Sequence, residues 1–399
     1  MDLLVNHIST LCTMNPSKPG LGLIEDAAAA FKEGKIAWVG KSVHAPTADK
    51  ILDAKGLIGL PGLVDPHTHT VYSGSRANEF AQRLAGANYS DILEAGGGIL
   101  STVQATRQAT LHQLTQLCRQ RLQQFRKNGV TTVEIKSGYG LDPQTEKKML
   151  QAALQCNGPM RVITTFLGAH TIPAEYKSNR DAYVRQIIEQ QLPLCAPFAD
   201  AIDVYCDRGA FTLDESIAIL SAGKRLGLKV RAHAEQVSHT GIAGAAAELG
   251  AICVDHLERV TDNEITSMAN NGTVAVLLPG AQLYLKDSPP PVHRLRAAGV
   301  PMAIGTDLNP GSSPVHNIWT CATLACILQG LTIEEALIGM TRNAGRALGR
   351  PELGWIGRES IADLGLYLPP PGEPPRPESL IQHMGTIRLH TLIKDGQVQ

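Results

Sequence analysis

Short apolar runs alternate with stretches of helical spacing through most of the chain. The runs are Leu57 to Val64, Val130 to Ile135, Arg161 to Phe166, Ala201 to Tyr205, Lys229 to Ala232, Ala251 to Val254, Thr273 to Leu277 and Pro301 to Gly305. Their length, β-branched content and Gly/Pro boundaries predict buried strands. Helical patterns fall between them, at Leu111 to Lys127, Pro143 to Gln155, Asp181 to Gln191 and Asp214 to Leu226. Thr212 and Glu215 form a capping box at the start of the last. Eight strand–helix units over this length predict an α/β protein with a TIM-like (β/α)8 barrel in residues 55–355. An open doubly wound sheet is the alternative, but no Gly-x-Gly-x-x-Gly motif opens the first unit.

The two ends carry a different pattern. Asp2 to Asn6, Lys35 to Gly40 and Lys50 to Asp53 read as short strands, as do Ala362 to Tyr367 and Leu392 to Val398. Chain ends often meet, so residues 1–54 and 356–399 are expected to form one small β-sandwich domain. Pro369 to Pro375 is too rich in proline for a regular element and reads as an exposed extended loop.

Composition narrows the partners. With 43% hydrophobic residues, 18% charged and a net charge of -1, the 399-residue chain has no basic patch for nucleic acid or an anionic membrane. Met1-Asp2-Leu3-Leu4 carries no basic start of a secretory signal, and no apolar run is long enough for a membrane span. Eight scattered cysteines without a Cys-x-x-Cys pair suit reduced thiols and a cytoplasmic protein. Apolar helices to spare suit a homodimer.

Chemistry gathers at the C-terminal ends of barrel strands, and here those ends are rich in histidine. His67-Thr68-His69 follows the first run, Lys136-Ser137-Gly138-Tyr139 the second and His170 the third. His233-Ala234-Glu235-Gln236 follows the fifth, Asp255-His256 the sixth and Thr306-Asp307 the eighth. In extended backbone, i and i+2 side chains share a side, so His67 and His69 converge on one point. The pattern predicts a single metal site of His67, His69 and His233, with Asp307 as a fourth ligand or as the base beside a bound water. His256 is expected to polarise a reacting carbonyl or to stand behind the ligands. Lys136 is expected in a structural ion pair. Glu94 to Ile99, with three glycines, reads as a substrate-facing loop or a plain linker.

Pro61 to His69, the later strand-end histidines and Asp307 together resemble the amidohydrolase superfamily, which pairs such a barrel with a small β domain from both chain ends. Some barrel hydrolases bridge two metals with a carboxylated lysine at strand four; Asp203 to Asp207 offers none. More narrowly, the chain is similar to the imidazolonepropionase family of histidine degradation. That likeness rests on Gly74 to Phe80, Glu94 to Ile99, Glu134 to Leu141, Thr165 to His170 and Thr306 to Ser313. The ends match more loosely, and the proline-rich segment looks like a local elaboration. The resemblance implies hydrolysis of 4-imidazolone-5-propanoate to N-formimidoyl-L-glutamate with one Zn2+ or Fe ion. It assigns Asp307 and His256 to catalysis, and Tyr139, His170, Asn309, Gly311 and Ser312 to the substrate, with Tyr89 lining the pocket. Arg76 suits a bidentate grip on the substrate carboxylate; a surface ion pair with Glu79 is its other reading. Related deaminases place Glu where this chain has Gln236, which can donate and accept hydrogen bonds but cannot titrate, so it is expected to bind the ring instead of moving protons. This disfavours the alternative, an aminohydrolase of a purine or pyrimidine that releases ammonia. A barrel that has lost its metal and serves as a scaffold is the non-enzymatic alternative.

Overall fold

The computed structural model describes residues 1–86 and 97–399. Tyr89 and Glu94 to Gly96 lie outside the described residues. The N-terminal part forms β1 (Leu3–Cys12), β2 (Leu23–Lys32), β3 (Lys35–Lys41), β4 (Lys50–Asp53) and β5 (Ile58–Pro61). The barrel strands are β6 (Leu63–Asp65), β7 (Val130–Lys136), β8 (Arg161–Ala169), β9 (Ala201–Cys206), β10 (Lys229–Ala234), β11 (Cys253–His256), β12 (Val274–Leu277) and β13 (Met302–Ile304). The C-terminal part adds β14 (Leu364–Leu368), β15 (Arg388–Lys394) and β16 (Gln397–Val398).

β6 to β13 pair side by side in sequence order, all parallel, as the alternation of runs and helices requires. β7 and β12 are buried along their whole length, as parallel strands covered on both faces are. Helices such as Leu111–Lys127, Pro143–Leu154 and Leu213–Arg225 cover the outside. The predicted capping box opens the last of these, with the Thr212 amide donating to Glu215 Oε2 at 2.8 Å.

Both chain ends meet in one mixed sheet of order β16-β15-β14-β5-β1-β2-β3, with β4 also beside β1. It has its own core, including Val5, Ile8, Phe31, Ile36, Leu364, Leu366 and Ile393. The proline-rich stretch runs without a regular element into the short helix Pro377–Gln382.

The opening run departs from its reading as a single strand. Ile58–Pro61 belongs to the terminal sheet, parallel to β1 and antiparallel to β14, and only Leu63–Asp65 joins the barrel. Gly62 is where the chain changes sheets. A Cβ there would fall 2.3 Å from Thr131 Oγ1 and 2.7 Å from Asp363 Cβ, so no side chain fits.

β6 and β13 do not form a ladder with each other. Segments just beyond their ends close the ring instead. The Asp307 amide donates to the His67 carbonyl at 3.0 Å, and the His69 amide to that of Leu308 at 2.9 Å. Thr306 Oγ1 donates to Asp65 Oδ2 at 2.7 Å across the same gap. The barrel seam therefore runs through His67, His69 and Asp307.

Candidate metal centre

Three imidazoles and one carboxylate meet at this seam, all buried. Nε2 of His67 and Nε2 of His69 each lie 3.4 Å from Asp307 Oδ1. His233, brought in by β10, places its Nε2 3.4 Å from that of His69. His67 and His69 project to one side, their ring centroids 5.4 Å apart. Four ligands on a tetrahedron around an ion about 2.1 Å away are about 3.4 Å from one another.

Proton placement also calls for a cation. His67 Nδ1 lies 2.7 Å from Asp255 Oδ2, and His233 Nδ1 lies 3.1 Å from Asp203 Oδ2. An acidic partner fixes the proton on Nδ1 and turns the Nε2 lone pair into the site. His67 Nε2 has no hydrogen-bond partner among the described residues. A buried lone pair facing a carboxylate oxygen is unfavourable unless a positive charge stands between them. The donor set, two imidazoles held this way with a third imidazole and a carboxylate, fits a zinc or iron ion.

Without an ion, the electrostatics record the same strain. Burial and the other charges push His233 down to about 3, despite Asp203. His67 is raised: burial and Lys136 act against its proton, but Asp255 and Asp307 outweigh them. Burial opposes ionisation of Asp307 too, yet His67 and His69 hold it well below the usual carboxylate range. Asp307 and His256 have left-handed backbones, at φ 51° and 80°. Such conformations persist only where their surroundings hold them.

The other expected residues lie around this cluster. His256 is buried, with its ring centroid 5.5 Å from His233 and 5.9 Å from His67, so it too stands within ligand reach. His170 stacks on His69 at 5.2 Å, and Tyr139 packs against both. His170 Nδ1 donates to the Gly138 carbonyl at 2.9 Å, leaving Nε2 as an acceptor. Burial, then His69 and His233, keeps His170 neutral, well below the ordinary histidine value. Gln236 is buried after β10, and its side chain makes no hydrogen bond among the described residues.

Arg76 forms the ion pair with Glu79. Its Nε donates to Glu79 Oε2 at 2.9 Å, while its Nη1 lies against Gly311, where a Cβ would be only 2.1 Å away. Glu79 also accepts from the Gly98 amide at 3.0 Å, tying the glycine-rich stretch to the same arginine. Asn309 is turned inward: Oδ1 accepts from the amides of Gly311 and Ser312, and Nδ2 donates to the Asp307 carbonyl. Its side chain shapes the loop.

Several supporting groups escaped the sequence reading. Glu146 accepts from the amides of Gly138, Gly140 and Leu141, setting the loop that carries Tyr139. Glu134, Asp203, Arg231 and Asp255 are buried behind the imidazoles. The signal was their charge, since ionisable residues inside otherwise apolar parallel strands need partners.

The profile of the amidohydrolase family matches residues 58–374. The imidazolonepropionase of Shewanella piezotolerans is 47% identical over 369 residues, 90% of either chain. That of Shewanella putrefaciens is 48% identical over 349 residues, 85% of this chain and 86% of its own. The chain belongs to the imidazolonepropionase family of amidohydrolases. Solved structures agree on the fold of this imidazolonepropionase-family enzyme. A triazine hydrolase variant superposes with a TM-score of 0.77 at 19% identity, over 99% of this chain and 94% of its own. Atrazine chlorohydrolase from Arthrobacter aurescens, complexed with zinc, gives 0.72 at 18% identity over the same shares. Family membership and the cluster of histidines with Asp307 together imply a metal-dependent hydrolase.

Proposed function

We propose that this family member opens 4-imidazolone-5-propanoate to N-formimidoyl-L-glutamate, using one zinc or iron ion held by His67, His69, His233 and Asp307. The observation that carries the assignment is the set of 3.4 Å separations among their inward-facing atoms. When bound, the ion supplies a Lewis acid that brings a water pKa to about 7 and polarises a carbonyl.

The chain's own groups do the rest. Asp307 turns Oδ1 to the imidazoles, so Oδ2 takes the proton of the attacking water. It returns that proton to the ring nitrogen as the amide bond breaks. His256, beside His67 and His233, stabilises the negative charge that develops on the carbonyl oxygen. Arg76, oriented by Glu79, grips the propanoate carboxylate. Neutral His170 and Tyr139 wall the ring, and Gln236 donates and accepts hydrogen bonds without moving a proton. Asn309 acts through the loop, holding Gly311 and Ser312 where their backbone meets the ring. Eight free cysteines suit the reducing cytoplasm in which we place the enzyme. No helix among the described residues is long and apolar enough to cross a membrane.

Metal analysis combined with turnover of 4-imidazolone-5-propanoate tests the assignment. Stoichiometric ion and ring opening without ammonia are expected; release of ammonia would point to an aminohydrolase. Asp307→Asn should bind substrate nearly as well as wild type and lose turnover by at least about a thousandfold, on the scale of general acid–base catalysis. Turnover within tenfold of wild type would remove Asp307 from proton transfer.

A further inference from the structure

Lys136 lies wholly buried at the end of β7. Its Nζ is 3.0 Å from Glu134 Oε1, 2.8 Å from Asp203 Oδ2 and 3.8 Å from Asp255 Oδ2. Each of these carboxylates holds a different part of the ligand frame. Asp255 Oδ2 faces His67 Nδ1 at 2.7 Å. Asp203 Oδ2 faces His233 Nδ1 at 3.1 Å, and its Oδ1 accepts from the His233 amide at the same distance. Glu134 Oε2 accepts from the Thr68 amide, between His67 and His69, at 3.1 Å.

We propose that Lys136 is the positioning residue of the metal centre, locking His67, His233 and the His67–His69 backbone through Asp255, Asp203 and Glu134. The physical reason is charge. Three carboxylates packed in one buried space repel one another, and without a cation between them each would gain by turning away. A carboxylate that turns away no longer holds its imidazole through Nδ1, and the Nε2 lone pair loses its aim. Arg231 shares the task from the other side, 3.2 Å from Asp255, and its Nη2 donates to the Pro66 carbonyl at 2.6 Å. Arg231 lies farther from Glu134, at 3.7 Å. Among the described residues only Lys136 joins the partners of two different histidine ligands, His67 just after β6 and His233 on β10, four strands apart in the barrel.

The inference rests on the ligand assignment above and is tested on the metal itself. Zinc-loaded wild type, Lys136→Met, Asp203→Asn and the double variant are mixed with a chromophoric chelator, and the rate of metal loss is followed. Each single change should speed loss by about 10- to 100-fold, the usual effect of removing a group that supports a ligand. The double variant should lose metal more slowly than the product of the two single effects predicts, because both changes break the same Lys136–Asp203 link. It also removes an ammonium together with a carboxylate, so it should fold even if Lys136→Met alone does not. Wild-type retention in Asp203→Asn, or multiplying effects in the double variant, would overturn the proposal. A lower thermal midpoint of the metal-free variants with unchanged metal loss would also overturn it, as a merely structural role. If instead His67→Ala holds zinc as firmly as wild type, the ligand assignment fails and not this link.

Discussion

Arg76 and Gly311 meet with no space to spare, so the proposed grip of Arg76 on the substrate carboxylate depends on Gly311. The backbone of Gly311 is not left-handed, so alanine is conformationally acceptable there and only space is at issue. Gly311→Ala should push the guanidinium away from its Glu79-anchored position. A charge-assisted bidentate contact contributes about 1.5–3 kcal/mol, so KM for the anionic substrate should rise by about 10- to 100-fold with kcat changed far less. Arg76→Met should act in the same direction. Steady-state kinetics of both variants check this, and an unchanged KM in either would release Arg76 from the carboxylate. Asn309 carries a related lesson. The resemblance assigns it to the substrate, yet its side chain is spent on the amides of Gly311 and Ser312, a use that only the folded loop reveals.

At the scale of elements, much was legible because the barrel obeys local rules. Seven of the eight runs became barrel strands near their expected places, and the four ligand candidates converge. The exception is instructive: Leu57 to Val64 is apolar throughout, so nothing in its pattern reveals that Gly62 hands the chain from one sheet to another. Lys136 was expected in a structural ion pair, but which carboxylates it joins depends on β7, β9 and β11 lying within reach of one another, which local pattern does not encode. The helix Asp262–Asn271 offers a test at this scale. Its capping residue Glu264 receives the Thr261 amide at 2.9 Å and also crowds Glu235 on the loop after β10. Burial first, then Glu264 against the Thr240 amide, pushes Glu235 up to about 7. Between about pH 4.5 and 7 the unfolded chain releases this proton while the folded chain keeps it, so stability is lost as pH rises through that window. Glu264→Gln retains an acceptor for the cap and removes the like charge. Relative to the variant, wild type should lose on the order of 1 kcal/mol between pH 5 and pH 7.5 in urea unfolding. A difference that does not vary with pH would contradict the pairing.

Across the whole molecule, the seam couples the metal centre to closure of the barrel. The amides of His69 and Asp307 bridge the ends of β6 and β13 while their side chains face each other in the proposed ion site. Removing the metal leaves buried lone pairs facing a carboxylate at that junction. Stabilisation by a ligand bound at a hundred times its Kd is about 2.7 kcal/mol, so chelation should lower the thermal midpoint by several degrees. Amide exchange should rise first at residues 65–69 and 304–309, and a uniform rise across all strands would argue against a local junction. The same arrangement bears on how the enzyme acquires its ion. With three of the four proposed ligands at the join of the ring, exchange of the ion is expected to be slowed by the need to open that join. Protein refolded with iron and then offered zinc should keep iron through many turnovers, and the reverse order should keep zinc. The element found in the purified enzyme would then be a record of the supply at the moment the chain folded.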